Sequence, residues 1–307
     1  MKNIVTGGAG FIGSHLIDFL MKNGEEVICI DNFSSGFKNN VEYWINHSNF
    51  KLIEHDIIKP IEIKADKIWH LACPASIAQY QKDPIKTSKI NFIGTLNMLE
   101  LAQKTKAKFL LASSSEVYGN PKEHPQKEVY WGYVNSIGKR SCYDEGKRIA
   151  ESLTFDFFRA HNLDIKIARI FNTYGPRIQP KDGRVISNFI SQALQNKPLT
   201  IYGEGHQTRS FCFIFDLISG LIKLMNSKYN GPINLGNPEE YSIFNLAQII
   251  CDKVGINFKF STHPLPENDP LARKPDIKLA NDCLCWSPKI NLSSGLDQTI
   301  NYFKKNH

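Results

Sequence analysis

Short apolar runs alternate along the first half of the chain with segments whose apolar positions follow the helical period. The runs KNIVTG, EEVICID, KLIEHDI, KIWHLA and AKFLLASSS predict strands. The segments FIGSHLIDFLMKNG and PIKTSKINFIGTLNMLELAQKT predict helices between them. Because continuous apolar runs are typical of strands buried on both faces, the pattern predicts an α/β fold, a doubly wound parallel sheet with helices on both sides.

The composition changes near residue 172. A long polar loop, FNTYGPRIQPKDGR, is followed by shorter apolar segments that glycine- and proline-rich stretches separate, among them GPINLGNPEEYS and PLPENDPLARKPD. We therefore predict a sheet domain over residues 1–171 and a smaller C-terminal lobe over 172–307, with some elements of the lobe returning to the sheet. The stretch SSGLDQTINYFKK predicts a final amphipathic helix with Ser293 or Ser294 as its N-cap.

Composition and charge narrow the possible functions. The 307 residues are 42% hydrophobic and 22% charged, which is typical of a soluble globular protein. The net charge of +7 is spread along the chain, so no nucleic-acid-binding tail is expected, and the excess suits an anionic small molecule. Seven scattered cysteines lack zinc spacing and predict reduced thiols in the cytoplasm, with no metal site. Neither a signal peptide nor a membrane span is predicted.

The stretch TGGAGFIG follows the first strand and opens the first helix. Its glycines Gly7, Gly10 and Gly13 allow a tight turn and a close backbone approach to a pyrophosphate at a helix N-terminus. Asp31 ends the second strand, where a carboxylate accepts both ribose hydroxyls of NAD and repels the additional phosphate of NADP. The motif therefore predicts a Rossmann-type NAD site. Asp56, after the third strand, is placed either at the adenine edge or as a helix-capping residue.

Two residues of the segment SCYDEGKRIAE carry candidate chemistry. Tyr143 and Lys147 lie one helical turn apart on the same face. A phenol has a pKa of about 10, which a nearby ammonium group and a positive nicotinamide ring both lower. Such a pair beside NAD can take the proton of a sugar alcohol while hydride leaves its carbon. In LLASSSEVYG, Glu116 is either a solvated loop charge or an acid/base group held over the substrate.

These motifs occur together with further stretches that resemble a known family. They include HLACPASIAQYQKDPIKTSKINFIGTLNMLELA, ASSSEVYGNPKEHPQ, YWGYVNSIGKRSCYDEGKRIAE, ARIFNTYGPRI, YGEGHQTRSF and RKPDI, and they extend from the first strand to about residue 280. The chain resembles the extended short-chain dehydrogenase/reductases, the NAD-dependent sugar-nucleotide epimerases and dehydratases. Among these it is most similar to the UDP-glucuronate decarboxylases, also called UDP-xylose synthases.

The resemblance implies a reaction that regenerates its cofactor. NAD oxidises the hydroxyl at sugar carbon 4 of UDP-glucuronate, and the resulting β-keto acid loses its carboxylate as carbon dioxide. Carbon 5 is then protonated, and the retained NADH returns hydride to carbon 4. The expected product is UDP-xylose.

The resemblance also implies roles for individual side chains. Tyr143 is expected to shuttle the proton, Lys147 to be its electrostatic partner, and Ser114 to hydrogen-bond the oxygen on carbon 4. Ser115 and Glu116 match a Ser-Glu pair of the family, with Glu116 on the carboxylate-bearing side of the sugar. Arg273, in RKPD, matches an arginine that faces the substrate carboxylate or the water that protonates carbon 5.

The remaining implied contacts concern the two ligands. The expected substrate-binding residues are Tyr80, Lys89, Asn172, Arg184, Tyr202, Arg209 and Arg273. The expected cofactor-binding residues are Gly7, Gly10, Phe11, Ile12, Gly13, Asp31, Asn32, Phe33, Ser34, Asp56, Ile57, Leu71, Ala72, Cys73, Ala112, Tyr143, Lys147 and Thr173. A homodimer is expected through helices that begin near Pro84 and Gly138.

Alternatives remain within this class and outside it. A 4,6-dehydratase usually has an aspartate where Ser115 stands, and a 4-epimerase needs no carboxylate at Glu116. A decarboxylase that stops at the UDP-4-keto-pentose is less well separated by the sequence, and another NAD-dependent epimerase or dehydratase stays a further alternative. A non-catalytic nucleotide-binding regulator would be expected to lose Tyr143 or Lys147, and both are present.

Overall fold

The computed structural model describes residues 1–180, 182–265 and 272–306. Its strands, in chain order, are β1 (Lys2–Thr6), β2 (Glu26–Asp31), β3 (Phe50–Glu54), β4 (Lys67–His70), β5 (Lys108–Ser114), β6 (Ile165–Ile170), β7 (Thr173–Tyr174), β8 (Leu199–Tyr202), β9 (Thr208–Ser210), β10 (Cys212–Phe213), β11 (Pro232–Leu235), β12 (Glu240–Ser242), β13 (Phe260–His263) and β14 (Ala272–Arg273). Its α-helices are α1 (Phe11–Lys22), α2 (Ile77–Tyr80), α3 (Pro84–Lys89), α4 (Thr95–Thr105), α5 (Ser141–His161), α6 (Val185–Leu194), α7 (Ile214–Asn226), α8 (Ile243–Val254), α9 (Lys278–Leu284) and α10 (Leu292–Asn306).

Seven of these strands form one parallel sheet in the order β11-β6-β5-β4-β1-β2-β3. Successive side chains of a strand point to opposite faces, and the buried residues accordingly divide between two cores. Val5 packs with the first core and Ile4 with the second. Helices α1, α6 and α7 contribute to the first core, and α4 and α5 to the second. The predicted doubly wound sheet with helices on both sides is confirmed.

Strand β11 comes from the C-terminal lobe and pairs with β6 at one edge of the sheet. The other strands beyond residue 171 form small separate sheets: β7 with β10, β8 with β13, and β9 between β12 and β14. The predicted division at residue 171 stays a prediction. Among the described residues, no helix is both long enough and apolar enough to cross a membrane.

The long helical pattern that starts at Pro84 forms two α-helices joined by a π-helical turn. The turn spans Ile90–Gly94 and lies between α3 and α4. A Cβ atom at Gly94 would stand 2.6 Å from Cδ1 of Ile57, so the glycine lets this turn approach the loop after β3. Such turns occur often at functional sites, and Ile90 lines the cavity described below.

The predicted N-cap of the final helix is wrong. Helix α10 begins at Leu292, and the side chain of Asn291 accepts a hydrogen bond of 2.8 Å from the amide of Ser294. Ser293 and Ser294 therefore lie inside the first turn. The reason is that Leu292 is buried and already helical, while asparagine caps as well as serine does.

Candidate active site

A cavity of about 420 Å³ opens where the central strands of the sheet end. Ligands of doubly wound proteins bind at the carboxyl ends of the strands. Side chains from residues 1–171 and from the C-terminal lobe line the cavity together, including Asp31, Tyr143, Arg184 and Arg273. Of the predicted cofactor- and substrate-binding residues, all but Phe33 and Lys89 line it.

The glycine turn places backbone against the cavity floor. Gly7 has a φ of +67°, and a Cβ atom there would stand 2.8 Å from the Cα of Ala72. A Cβ atom at Gly13 would stand 2.3 Å from the carbonyl oxygen of Gly7. No side chain among the described residues caps the N-terminus of α1 at Gly10, which leaves its amide groups to a ligand. The turn therefore fits a dinucleotide pyrophosphate.

The Asp31 carboxylate is held in place by backbone groups. Its Oδ2 accepts a hydrogen bond of 3.0 Å from the Ala9 amide, and its Oδ1 accepts one of 2.8 Å from the Phe33 amide. Burial raises the pKa of Asp31, and the amide hydrogen bonds oppose that rise. Each oxygen keeps a lone pair for a further donor, so the geometry fits two ribose hydroxyls. Phe33, with a φ of 55°, contributes its amide here, while its side chain does not line the cavity.

Asp56 lines the cavity beside Ile57. Its Oδ1 accepts a hydrogen bond of 3.3 Å from the Ile58 amide, and its Oδ2 lies 3.3 Å from Nζ of Lys86. Although burial opposes ionisation, these contacts and the side chain of Asn32 lower the pKa of Asp56. The carboxylate thus closes a local turn and does not cap a helix, and its adenine contact stays a prediction.

Tyr143 and Lys147 lie on the first turns of α5 and are both buried. The ring of Tyr143 stacks on that of Tyr80, with centroids 5.0 Å apart, and Nζ of Lys147 is 5.7 Å from the Tyr143 ring centroid. Nζ of Lys147 also donates a hydrogen bond of 3.0 Å to the carbonyl of Ala112 in β5. Helix α5 is therefore fastened to β5 through Lys147.

The predicted lowering of the Tyr143 pKa is not a property of the protein's own groups. Burial raises the pKa of the Tyr143 hydroxyl, and a hydrogen bond with Ser114 only partly opposes this. Nearby positive charges favour a lower pKa of Tyr143, but burial, which includes the stack on Tyr80, outweighs them. The charge of Arg184 lowers the pKa of Tyr143, and a bound positive nicotinamide ring would lower it further.

The three serines at the end of β5 face different surroundings. Oγ of Ser113 donates a hydrogen bond of 2.5 Å to Glu151, which does not itself line the cavity. Oγ of Ser114 accepts one of 3.2 Å from the Glu116 amide, and Ser115 begins the short 3₁₀ turn that carries Glu116. Ser114 and Ser115 line the cavity, and Ser113 lines it beside them.

Both oxygens of the Glu116 carboxylate are ion-paired. Oε1 accepts a hydrogen bond from Nη1 of Arg273, and Oε2 accepts one of 2.5 Å from Nη2 of Arg140. Nη2 of Arg273 also donates to the carbonyl of Gly119, at 2.6 Å. Burial alone would raise the pKa of Glu116, but the charges of Arg273 and Arg140 bring it below its ordinary value. Glu116 is thus an ionised, held carboxylate and not a solvated loop charge.

The sequence interpretation missed Arg140. This residue precedes Tyr143 by one helical turn, its carbonyl accepts a hydrogen bond of 2.9 Å from the Tyr143 amide, and its side chain lines the cavity. A basic residue one turn before the predicted proton shuttle was a usable signal. Its partner Glu116 follows a different strand, so the pairing itself was not readable from local spacing.

The predicted substrate-binding residues are only partly brought together. Tyr80, Asn172, Arg184, Tyr202, Arg209 and Arg273 line the cavity. Nε of Arg184 lies 3.1 Å from Oδ2 of Asp182, and Nη1 of Arg209 donates a hydrogen bond of 2.8 Å to the Thr208 carbonyl. Lys89 is exposed on α3 and does not line the cavity. It precedes the cavity-lining Ile90 by one residue, a rotation of about 100° around the helix, and therefore points elsewhere.

Comparisons with known proteins show the family of the chain. The family model described as GDP-mannose 4,6 dehydratase matches residues 4–299. A UDP-glucuronic acid decarboxylase of Arabidopsis thaliana is 53% identical over 305 residues, which cover 99% of this chain and 69% of that protein. One from Xenopus tropicalis is 54% identical over 302 residues, covering 98% of this chain and 72% of that protein.

A solved structure shares the architecture from end to end. The UDP-glucuronic acid 4-epimerase of Bacillus cereus, in complex with UDP-glucuronic acid and NAD, superposes with a TM-score of 0.90 and is 31% identical. The match covers 100% of both chains. A doubly wound sheet with a glycine turn, an Asp at the end of β2 and a Ser/Tyr/Lys site is the combination found in NAD-dependent nucleotide-sugar epimerases and dehydratases. Within that class, the chain belongs to the UDP-glucuronic acid decarboxylase family.

Proposed function

We propose that this protein converts UDP-glucuronate to UDP-xylose and carbon dioxide, using NAD that is regenerated in each cycle. The observation that carries the proposal is the ionised Glu116, which Arg140 and Arg273 hold in the cavity beside Tyr143. Two arginines paired with a carboxylate at this place suit the binding of a sugar that itself carries a carboxylate. A neutral hexose has hydroxyl groups but no negative charge with which an arginine could form an ion pair.

NAD is the cofactor that the described residues fit. The amides at the start of α1 would hold its pyrophosphate, and Asp31 would hold the adenosine ribose. When bound, NAD supplies a hydride acceptor, and later a hydride donor, at sugar carbon 4.

In the first half-reaction, the side chains of the protein remove one proton from the carbon 4 hydroxyl. As a phenolate, Tyr143 takes the proton of the carbon 4 hydroxyl, and the ammonium group of Lys147, buried one turn away, stabilises that phenolate. Ser114, which hydrogen-bonds Tyr143, donates to the same sugar oxygen. Because all three groups are buried and fixed by neighbours, little reorganisation is required during the reaction.

The second half-reaction concerns the carboxylate on carbon 5. Arg273 orients this group, and Glu116 keeps the arginine from neutralising it fully. Once carbon 4 is a ketone, the bond between carbon 5 and the carboxylate breaks, and its electron pair moves toward the ketone oxygen beside Tyr143. Carbon dioxide leaves as a neutral molecule, and carbon 5 receives a proton from a water molecule, whose remaining hydroxide is neutralised by the next proton from solvent; the ionised Glu116 can orient this water as a hydrogen-bond acceptor.

Nucleotide contacts complete the proposal. Arg209 and Arg184 line the cavity and suit the diphosphate as charge-assisted donors, while Asn172 and Tyr202 are proposed at the sugar and uracil ends. We give Lys89 no contact within this cavity, since its side chain lies outside it.

A homodimer and a cytoplasmic location are part of the proposal. Exposed apolar side chains on the two predicted dimer helices support the first: Ile85 is 69% exposed, Phe92 44% and Ile149 40%. Burial of these side chains against a second copy would be favourable. All seven cysteines are free thiols, which supports a reducing compartment.

Product analysis tests the proposed function. Purified protein loaded with NAD is incubated separately with UDP-glucuronate, UDP-glucose and deoxythymidine-diphosphate glucose, and the sugar nucleotides are separated by chromatography. We expect UDP-xylose from the first and no conversion of the others. Accumulation of UDP-4-keto-pentose alone would favour the alternative enzyme that stops after decarboxylation.

A further inference from the structure

Arg140 connects the start of α5 to the turn that follows β5. It stands at the N-cap of α5, and its carbonyl accepts hydrogen bonds from the amides of Tyr143 and Asp144, at 2.9 and 3.0 Å. Its guanidinium reaches across to Glu116, which follows β5. One residue thus contacts both the backbone that presents the proposed proton shuttle and the carboxylate that pairs with Arg273.

The two arginines on Glu116 are anchored differently. Arg273 is buried, with 3% of its side chain exposed, and it also holds the carbonyl of Gly119. Arg140 is 13% exposed and lines the cavity. Since each guanidinium takes a different carboxylate oxygen, removal of Arg140 leaves Oε2 of Glu116 without this donor and the carboxylate free to turn about Arg273.

Asp144 lies close to this pair without a hydrogen bond to it. Its Oδ2 is 3.9 Å from Nε of Arg140, and its Oδ1 is buried without a hydrogen-bond partner among the described residues. An ionised carboxylate so close to a guanidinium competes with Glu116 for it. A neutral carboxyl leaves the guanidinium to Glu116.

We propose that Arg140 is a positioning residue for Glu116 and that a neutral Asp144 keeps Arg140 available for this role. The inference rests on the proposed function and adds two residues to it. In the working enzyme, Arg140 fixes the carboxylate of Glu116 next to the sugar carboxylate. Ionisation of Asp144 draws Arg140 away and loosens Glu116.

The surroundings of Asp144 support a neutral carboxyl near neutral pH. Burial and the negative charge of Glu116 raise the pKa of Asp144 to about 7, and Arg140 and Arg273 oppose this rise. The ionisable groups that face it come from several elements: Tyr80 of α2, Glu116 after β5, Arg140, Cys142 and Glu145 at the start of α5, and Arg273 of β14. Because the pKa is raised, the neutral form is present below about pH 7 and is lost as the pH rises.

The first test compares Arg140→Met with Arg140→Lys. Loss of a charge-assisted contact should lower kcat with UDP-glucuronate by about ten- to a hundredfold, and lysine should restore most of it. Binding is measured in a Tyr143→Phe background, so that the sugar is not consumed. There, Arg140→Met should weaken UDP-glucuronate at least about fivefold while changing the affinities for UDP and NAD less than about twofold.

A control variant at the other end of α5 shows whether loss of any arginine from this helix lowers the rate. Arg159, whose side chain is 62% exposed and pairs with Asp156, lies outside the cavity, and Arg159→Met should retain the wild-type rate. Equal weakening of UDP, NAD and UDP-glucuronate by Arg140→Met, or no rescue by lysine, would overturn the inference in favour of a structural role. If the wild-type protein leaves UDP-glucuronate unchanged, the proposed function fails first.

The second test is a pH profile. Wild-type kcat should fall as the pH rises above about 7, while Asp144→Asn, which stays neutral at all pH values, should keep its rate through that range. The same alkaline fall in both proteins, or a wild-type rate that does not fall, would overturn the role of Asp144.

Discussion

Glu116 accepts a hydrogen bond from Arg273, which lies 157 residues further along the chain. The contact joins the turn after β5 to β14, and both residues line the cavity on the side of the proposed sugar carboxylate. A buried arginine is costly without its partner, so the two residues depend on each other.

Replacement of Glu116 should separate chemistry from cofactor binding. We expect Glu116→Ala to slow the first turnover by at least about a hundredfold, because the proposed proton and orientation roles are both lost. NAD affinity should change much less, since the glycine turn and Asp31 are untouched. Rapid mixing with UDP-glucuronate and a separate NAD titration measure the two quantities. Equal losses in both would indicate that Glu116 only maintains the structure.

The Glu116 ion pairs should also appear in the pH dependence of stability. The pKa of Glu116 is lowered in the folded protein, so its contribution is present above the ordinary pKa of about 4.3 and disappears as the pH falls through the folded value. The difference in free energy of unfolding between wild type and Glu116→Gln should therefore narrow below about pH 4. A difference that stays constant between pH 7 and pH 3 would contradict this reading of the ion pairs.

Tyr143→Phe should stop oxidation of the sugar while keeping the fold. Phenylalanine preserves the stack on Tyr80 and removes only the hydroxyl. We expect kcat to fall by about a thousandfold or more, with UDP affinity unchanged. Single-turnover absorbance of the reduced nicotinamide measures the oxidation step directly. A variant that still reduces its NAD at an appreciable rate would assign the proton transfer to another group.

Asp31→Asn should weaken the cofactor selectively. Asparagine keeps the size of the side chain, but it has no negative charge and only one acceptor oxygen for the two ribose hydroxyls. We therefore expect NAD affinity to fall about tenfold. The preference for NAD over NADP should shrink, because the repulsion of the additional phosphate disappears. Calorimetric titration with each dinucleotide checks both effects. An unchanged preference would place the discrimination elsewhere.

Gly13→Ala should be worse for NAD binding than Gly10→Ala. A Cβ atom at Gly13 would be 2.3 Å from the Gly7 carbonyl oxygen, against 3.1 Å for one at Gly10. Backbone atoms cannot move aside as easily as the end of a side chain. Gly13→Ala must therefore open the turn at the proposed pyrophosphate site. We expect its NAD affinity to fall beyond detection or the protein to lose thermal stability. Equal behaviour of the two variants would argue against a tightly packed turn.

Local patterns predicted much of this molecule. The parallel sheet with helices on both sides followed from buried runs alternating with helical periods, although the number of its strands was not predicted. Asp31 lies at the end of its strand and the Tyr143/Lys147 pair on one helix, as predicted. In each of these cases the decisive spacing lies within one element, where backbone geometry is regular.

The misses have a common physical origin in packing between distant segments. Lys89 and Ile90 are neighbours in sequence, and only the rotation of the helix about its axis, as it packs on the protein, decides which of them reaches the cavity. The pairing of Arg140 with Glu116 depends on how α5 approaches β5. Enclosure by Tyr80 raises the pKa of Tyr143, an effect that counting nearby charges does not include.

The most direct test of the central claim is to measure carbon dioxide released per molecule of UDP-glucuronate. Purified protein with its NAD, and without added reductant, is incubated anaerobically with UDP-glucuronate labelled at the carboxyl carbon, and the gas and the nicotinamide absorbance are followed together. The account predicts one carbon dioxide for each sugar nucleotide consumed, many turnovers per NAD and no lasting rise in reduced nicotinamide. UDP-glucuronate left intact, while UDP-glucose or a deoxythymidine sugar is converted, would contradict it.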